Sequence, residues 1–376
     1  MTRMKRHTLT RGGCAVALAL LAGVSTVDRL AAQQAAQQAA QQATQPGIQV
    51  LPVQGNVYLL AGAGGNISIS TGYDGTLIVD AGRADMSEAV LDNLGQLATL
   101  VQLPFFPLAP CVGPRCPGGA GTGAYTGSGW WTSQAVNGTV HSPGSLKPLR
   151  FIVNTSDDVE HTGGNTAVRA AGTTFTGGNV ARGAGGEGVG AEVWAHEAVL
   201  SRMVGEKVDV DRHPQMTYDT PKYKWNGFFN GEGIELIHVP AASTDGDTIV
   251  YFRYSDVIST GDVFSMDRYP AIHVDRGGSI QGTLDGLNKL LDMAVAQNKS
   301  QGGTYIVPGH GRIADIGDVA NYRNMVIRVR DRIQDSIKNG QSLQQVRAAR
   351  PTLDFDGMYG SPDAFIEAVY RSLSAR

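Results

Sequence analysis

Asp80, the loop from Ser156 to His161, Ser243, Asp262 and His310 each stand just past an apolar run of the chain. The runs are "LIV", "RFIV", "IHVPAA", "VISTG" and "YIVPG". Imidazole nitrogens and carboxylate oxygens are the donors that zinc and similar divalent ions take. The same groups also do general acid–base work. In sheet-based folds the loops that follow strands gather at one edge and carry function, so five such loops predict one site. His310 lies in "PGHG", where flanking glycines allow a sharp turn that presents the ring.

These loops need elements to hold them. "VYLL", "ISIS", "TLIVD", "LRFIV", "AEVWA", "IELIHV", "DTIVYF", "DVIS" and "TYIV" read as strands, several apolar throughout and therefore buried on both faces. "GYDGT" reads as a hairpin turn. Helical spacing marks residues 87–100, with Ser87 as N-cap, the stretch "LDGLNKLLDMAVAQ", and residues 319–339, where Gly340 is the stop. "SLQQVRAARPTLDF" begins a shorter helical piece broken by Pro351. Strands and helices fall in two similar halves, near residues 56–195 and 235–311. That order predicts an α/β protein with two sheets sandwiched between helices.

Composition narrows the function. The 376 residues are 42% hydrophobic and 17% charged, enough apolar content for a substantial core. A net charge of −3 offers no basic surface, so nucleic acid is not an expected partner. Lys5, Arg6 and Arg11 followed by "CAVALALLAGV" form a charged and then apolar leader too short to span a bilayer. Residues 1–32 are read as a signal peptide, which predicts a periplasmic or secreted protein with no membrane attachment after its removal. Residues 33–47, rich in Ala and Gln, have no apolar face to bury and read as a linker. A Pro- and Gly-rich insertion, 104–148, carries Cys111 and Cys116, which in an oxidising compartment could close a small disulfide loop. Its Phe105, Phe106, Trp130 and Trp131 either cover a pocket or pin the insertion to the core.

In order along the chain stand "GGN", "VDAG", "NTSDDVEHTGGN", "AHE", "STDGDTIVYF", "STGDVF" and "VPGHG". This series resembles the metallo-β-lactamase superfamily, hydrolases that include glyoxalase II. The resemblance implies a four-layer αββα sandwich of two mixed β-sheets over residues 48–336, with 337–376 as a helical extension. It also implies a metal site in which hydroxide on the metal attacks an ester, thioester, lactone or amide carbonyl of a small-molecule substrate.

The family's ligand loop has the pattern H-x-H-x-D-H. Here Ser156 and Asp158 stand at its first two imidazoles, Glu160 at its aspartate and His161 at its last histidine. Ser243 stands where a further ligand histidine precedes "TDGD", while Asp262 and His310 match the pattern directly. The expected metal ligands are Glu160, His161, Asp262 and His310, with Ser156, Asp158 and Ser243 as weaker candidates, because a serine hydroxyl does not easily lose its proton. The expectation is one divalent ion, zinc by its donors, and no firm second site. Asp158 is the expected general base. Asp80 is expected to fix loops by hydrogen bonds, His196 to be structural, and Asn165 to secure the "TGGN" turn. No partner is evident for His213, His238 or His273. The alternative is a non-catalytic binding or scaffold protein that kept the fold and lost the first metal site. Against it, the replacements for histidine are polar and keep the pocket wet, where a decayed pocket would more often gain Leu or Val.

Overall fold

The apolar runs assemble into two mixed sheets. A computed structural model of the chain describes residues 47–72, 74–102, 148–173, 190–225, 227–296 and 303–374. All but Gly47 belong to one compact unit, Ile48–Arg376. The leader, the linker up to residue 46, and nearly all of the insertion, with Cys111, Cys116, Phe105, Phe106, Trp130 and Trp131, lie outside the described residues.

The first sheet runs β1 (Gln49–Gln54), β2 (Val57–Ala63), β3 (Gly65–Gly72), β4 (Gly75–Val79), β5 (Leu149–Val153), β6 (Glu192–His196) and β7 (Met216–Tyr218), in that spatial order. The first four strands pair antiparallel, and β4 to β7 pair parallel. The second sheet holds β8 (Lys222–Lys224), β9 (Ile234–Val239), β10 (Asp247–Phe252), β11 (Val257–Ser259) and β12 (Tyr305–Val307), ordered β12-β11-β10-β9-β8. Only its β11–β12 pair is parallel.

Side-chain alternation builds the layers. Val57, Leu59, Leu77 and Val79 of the first sheet share a core with Leu236, Val250, Phe252 and Val307 of the second, so the sheets face each other. The alternate residues Leu60, Ile69 and Ile78 face outward, against Val90, Leu94 and Leu97 of α1 (Ser87–Gln102). On the other outer face, Ile237, Ile249 and Ile258 pack with α5 (Ile280–Met293) and α6 (Ile316–Lys338) through Leu284, Leu287, Val326 and Val329. The result is the expected αββα sandwich. Between β5 and β7 lie the short helices α2 (Val159–Thr162) and α3 (Asn165–Ala170), and α4 (Glu197–Gly205).

Two details differ from the sequence reading. Ser87 does not cap α1: a 3-10 turn, Ala84–Met86, precedes it, and the Ser87 hydroxyl donates back to the Ala84 carbonyl. At the C-terminal end, residue 336 falls inside α6. The short helices α7 (Leu343–Ala348), α8 (Asp356–Tyr359) and α9 (Asp363–Ser374) follow it and lend Val346, Tyr359, Phe365 and Val369 to the core over the second sheet. The terminal helices therefore complete a layer of the sandwich.

Candidate metal centre

Three loop ends meet around His161. Asp80, at the end of β4, sits in the left-handed backbone region with φ 69°. Its carboxylate accepts from the Thr155 backbone N–H at 2.7 Å and hydroxyl at 2.8 Å, and lies 2.7 Å from His161 Nδ1. One buried acid thus ties the β4 end to the β5 loop and aims the ring. Asp262 follows β11 within a 3-10 turn, Gly261–Val263, and His310 follows β12.

Glycines permit the approach. A Cβ on Gly65 would stand 2.8 Å from His161 Cε1, and one on Gly309 would stand 2.6 Å from the Gly261 carbonyl oxygen and 3.0 Å from Asp262 Oδ1. Asn66 binds the His310 loop to β3. Its N–H donates to the Gly309 carbonyl, and its amide donates to those of Pro308 and Gly311 at 2.9 and 2.8 Å.

His161 Nε2, Asp262 Oδ1 and His310 Nε2 form the centre. Asp262 Oδ1 is 3.1 Å from His161 Nε2 and 3.4 Å from His310 Nε2. One ligand atom from each of the three residues lies within 4.8 Å of the others. Two donors about 2.1 Å from a tetrahedral ion sit ~3.4 Å apart, so these edges suit a zinc-sized ion. The His161 ring is fully buried, yet Nε2 has no aligned hydrogen-bond partner; the nearby Asp262 oxygen lies off the line. An orphaned buried nitrogen next to a carboxylate and a second imidazole fits a divalent cation.

The electrostatics describe what holds the cluster without one. Burial alone would push the His161 pKa down, but the carboxylates of Asp262 and Asp80 outweigh it and raise it well above the ordinary value. Burial would likewise raise Asp262, but His161 and His310 hold it well below the usual carboxylate range. A proton on His161 thus occupies the charge position that a cation would take.

No protein-family model matches the chain, and no curated protein does. Solved structures do. The inverting sec-alkylsulfatase Pisa1 from Pseudomonas sp. superposes with TM-score 0.55 at 14% identity, over 86% of this chain and 50% of the sulfatase. A double mutant of the sulfatase gives TM-score 0.55 at 13% identity over the same shares. The chain thus spans about half the length of the sulfatase it matches. The DIM-1 metallo-β-lactamase gives 0.47 at 13% identity, over 75% of this chain and 97% of that one. At such identities the likeness is one of fold.

The chain has the metallo-β-lactamase fold.

Within this metallo-β-lactamase fold the proposed ligands divide. His161, Asp262 and His310 come together, while Glu160 stays at the rim, its carboxylate 3.4 Å from His310 Nε2 and 3.4 Å from Arg268 Nη1. Asp158 does not join the group of histidines and carboxylates formed among the described residues. Ser156 is buried, and its oxygen accepts from the Asp158 N–H. Asp158 caps α2, accepting from the Glu160 N–H at 3.0 Å. Ser243 is buried, and its N–H donates to Asp247.

Asp247 was not foreseen. This buried acid also accepts from the Thr244 N–H and hydroxyl, and so shapes the "STDGD" loop. Burial pushes its pKa up to about 7, against the pull of those hydrogen bonds. The motif showed the loop, but not which aspartate folds inward. Asn66 was likewise visible only as part of "GGN".

The remaining polar residues have definite places. His196 caps α4 through Nδ1 and stacks on His238 with ring centroids 3.6 Å apart. Burial, then the neighbouring His238, push His196 down to about 4. His238 Nε2 lies 2.8 Å from the Asp245 carbonyl oxygen, and His213 Nε2 lies 3.0 Å from that of Val208. Asn165 pairs amide to amide with Asn154 and donates to the Arg212 carbonyl, so it links the ends of the ligand loop. His273 does have a partner: Nε2 lies 3.9 Å from Asp158 Oδ2.

Proposed function

We propose that this protein is an exported, metal-dependent hydrolase of small-molecule esters, thioesters, lactones or amides, working with one divalent ion, zinc by its donor set. The observation that carries the reading is the buried, unaligned His161 Nε2 facing Asp262 Oδ1, with His310 Nε2 on the other side of that oxygen. His161, Asp262 and His310 would hold the ion, and Glu160 would join from the rim. When bound, such an ion acidifies water and polarises a carbonyl.

The chain's own residues supply the rest. Asp80 keeps the Nδ1 proton of His161 directed at itself and thereby turns Nε2 toward the centre. Arg268 draws on the Glu160 carboxylate and fixes it at the rim. Asp158 keeps one oxygen on the helix cap and leaves Oδ2 to take a proton from water. Export rests on the leader pattern of residues 1–32, and no helix among the described residues is long and apolar enough to cross a membrane.

The absence of Asp158 from the cluster, and serines instead of imidazoles at positions 156 and 243, favour the second reading, a binding or scaffold protein on this fold. A panel of ester, thioester, lactone and β-lactam substrates separates the two. Chelated protein, zinc-reconstituted protein and His310→Ala are compared. The hydrolase reading expects turnover of at least one carbonyl class that needs zinc and is lost in His310→Ala. Zinc uptake without turnover across the panel supports the binding protein. Cell fractionation checks export: retention in the cytoplasm, with residues 1–32 intact, refutes it.

A further inference from the structure

Between α6, α8 and the loops that carry Met266 and Arg312 lies a cavity of about 580 Å³, in the size range of small-molecule pockets. His161, Asp262 and His310 do not line it. We propose that it binds a small amphipathic anion from solution, an alkyl carboxylate, with the carboxylate on Arg328 and the chain against a methionine and phenylalanine wall. The proposal goes beyond the metal-dependent reading and does not rest on it.

Spacing along α6 builds one side. Asp318, Asn321, Met325 and Arg328 follow one another at three or four residues and so share a face of the helix. Met266, Phe355 and Met358 add an apolar wall. The short helix α8 is held in place: the Tyr269 hydroxyl donates to Asp356 at 2.9 Å, and the Tyr359 ring packs on those of Tyr269 and Tyr322, with centroids 5.4 and 5.5 Å apart. The wall is therefore preformed, while Met358, 68% exposed, keeps a flexible side chain free to adapt to a ligand.

The charges are sorted. Arg312 donates two hydrogen bonds to the Asp318 carboxylate, at 2.9 and 2.8 Å, and is neutralised by it. Arg328 is exposed and has no ion pair or hydrogen bond among the described residues. Two guanidinium groups to one carboxylate leave the cavity one positive charge, in a chain whose net charge is −3. The alternative is an ordinary solvated dip, which needs no apolar lining. Here Met266, Phe355 and Met358 stay partly or largely uncovered beside the spare cation. An alkyl chain would take that surface out of water, while its carboxylate engages both arms of the Arg328 fork.

Equilibrium dialysis of the purified protein against radiolabelled decanoate, below its micelle-forming concentration and with folding checked by circular dichroism, tests this. One saturable site is expected, of equal affinity in chelated and zinc-loaded protein. Hexanoate, with a shorter chain, should compete about 10-fold less well or worse, and decylammonium, of opposite charge, should not compete. Arg328→Gln and Met358→Glu should each weaken binding about 10-fold or more. Arg330→Gln, whose guanidinium pairs with Asp331, should bind as the wild type does. No saturable uptake, wild-type affinity in Arg328→Gln or Met358→Glu, competition by decylammonium, or loss in Arg330→Gln overturns the proposal. So does loss of binding on chelation, which would move the ligand to the metal, and so does uptake onto phosphatidylglycerol vesicles without a saturable decanoate site. A protein that binds decanoate but no zinc refutes the metal centre alone, so the two failures are distinct.

Discussion

Replacing Asp80 by Asn should loosen the metal centre without touching a ligand. Asn tolerates the left-handed backbone that Asp80 adopts at φ 69°, so the turn survives. The carboxylate serves three contacts, to the Thr155 N–H, the Thr155 hydroxyl and His161 Nδ1. An amide has one oxygen and one NH2 group and cannot accept from all three. With its oxygen on Thr155, its NH2 faces His161 Nδ1 and selects the tautomer that carries the proton on Nε2, where the ion must bind. Loss of such a supporting partner typically costs about 10- to 100-fold in metal affinity. The broken charge-assisted contacts should also lower stability by about 1.5–3 kcal/mol.

The same change has a pH signature. The His161 pKa in the folded, metal-free protein is raised, so its contribution to stability is full below the unfolded value of about 6.5 and is lost as pH rises through the folded value. Without the Asp80 charge the folded value falls, so the pH-dependent loss of stability is smaller and is complete at lower pH. A zinc competition titration and urea melts of the metal-free protein across neutral to alkaline pH measure both effects. Wild-type zinc affinity in Asp80→Asn, with an unchanged melt profile, would refute the claim that this acid orients and charges the ring.

Three further outcomes follow from the same geometry. Because His161 holds a proton where the ion goes, zinc uptake near neutral pH should release about one proton, read as a buffer-dependent heat, and affinity should rise with pH; buffer-independent heats would contradict this. Gly65→Ala, whose new Cβ would meet the His161 ring at 2.8 Å, should cut zinc affinity while the protein stays folded; unaltered affinity would show that the ring has room to move. Asp158→Ala should lose about 1 kcal/mol with its cap, whereas Asp158→Asn should keep that stability, and both should lower turnover by about 10²–10⁴ at constant metal content; full turnover in Asp158→Asn ends the proton-acceptor role.

The strands that carry the site were legible because they are long and apolar. "TLIV" and "DTIVYF" bury nearly every residue, and such runs suit little besides a sheet covered on both faces. β7 and β8, three residues each, offer no such pattern and exist through their pairing with β6 and β9. Ser87 looked like a cap because the signal is local, and the 3-10 turn before it is not. At the site, loops were readable but partnerships were not. Asn66 reaches Pro308 and Gly311 across 242 and 245 residues, and His273 meets Asp158 only because Gly278 lets its loop close on Ser243. These pairings depend on the register of two sheets, which no short motif encodes.

Elemental analysis of purified protein, wild type beside His310→Ala, tests the central claim most directly. The account predicts stoichiometric divalent metal in the wild type, retained through gel filtration, and its loss in the folded variant. Metal-free wild type from metal-replete expression, or equal metal in both proteins, would contradict it.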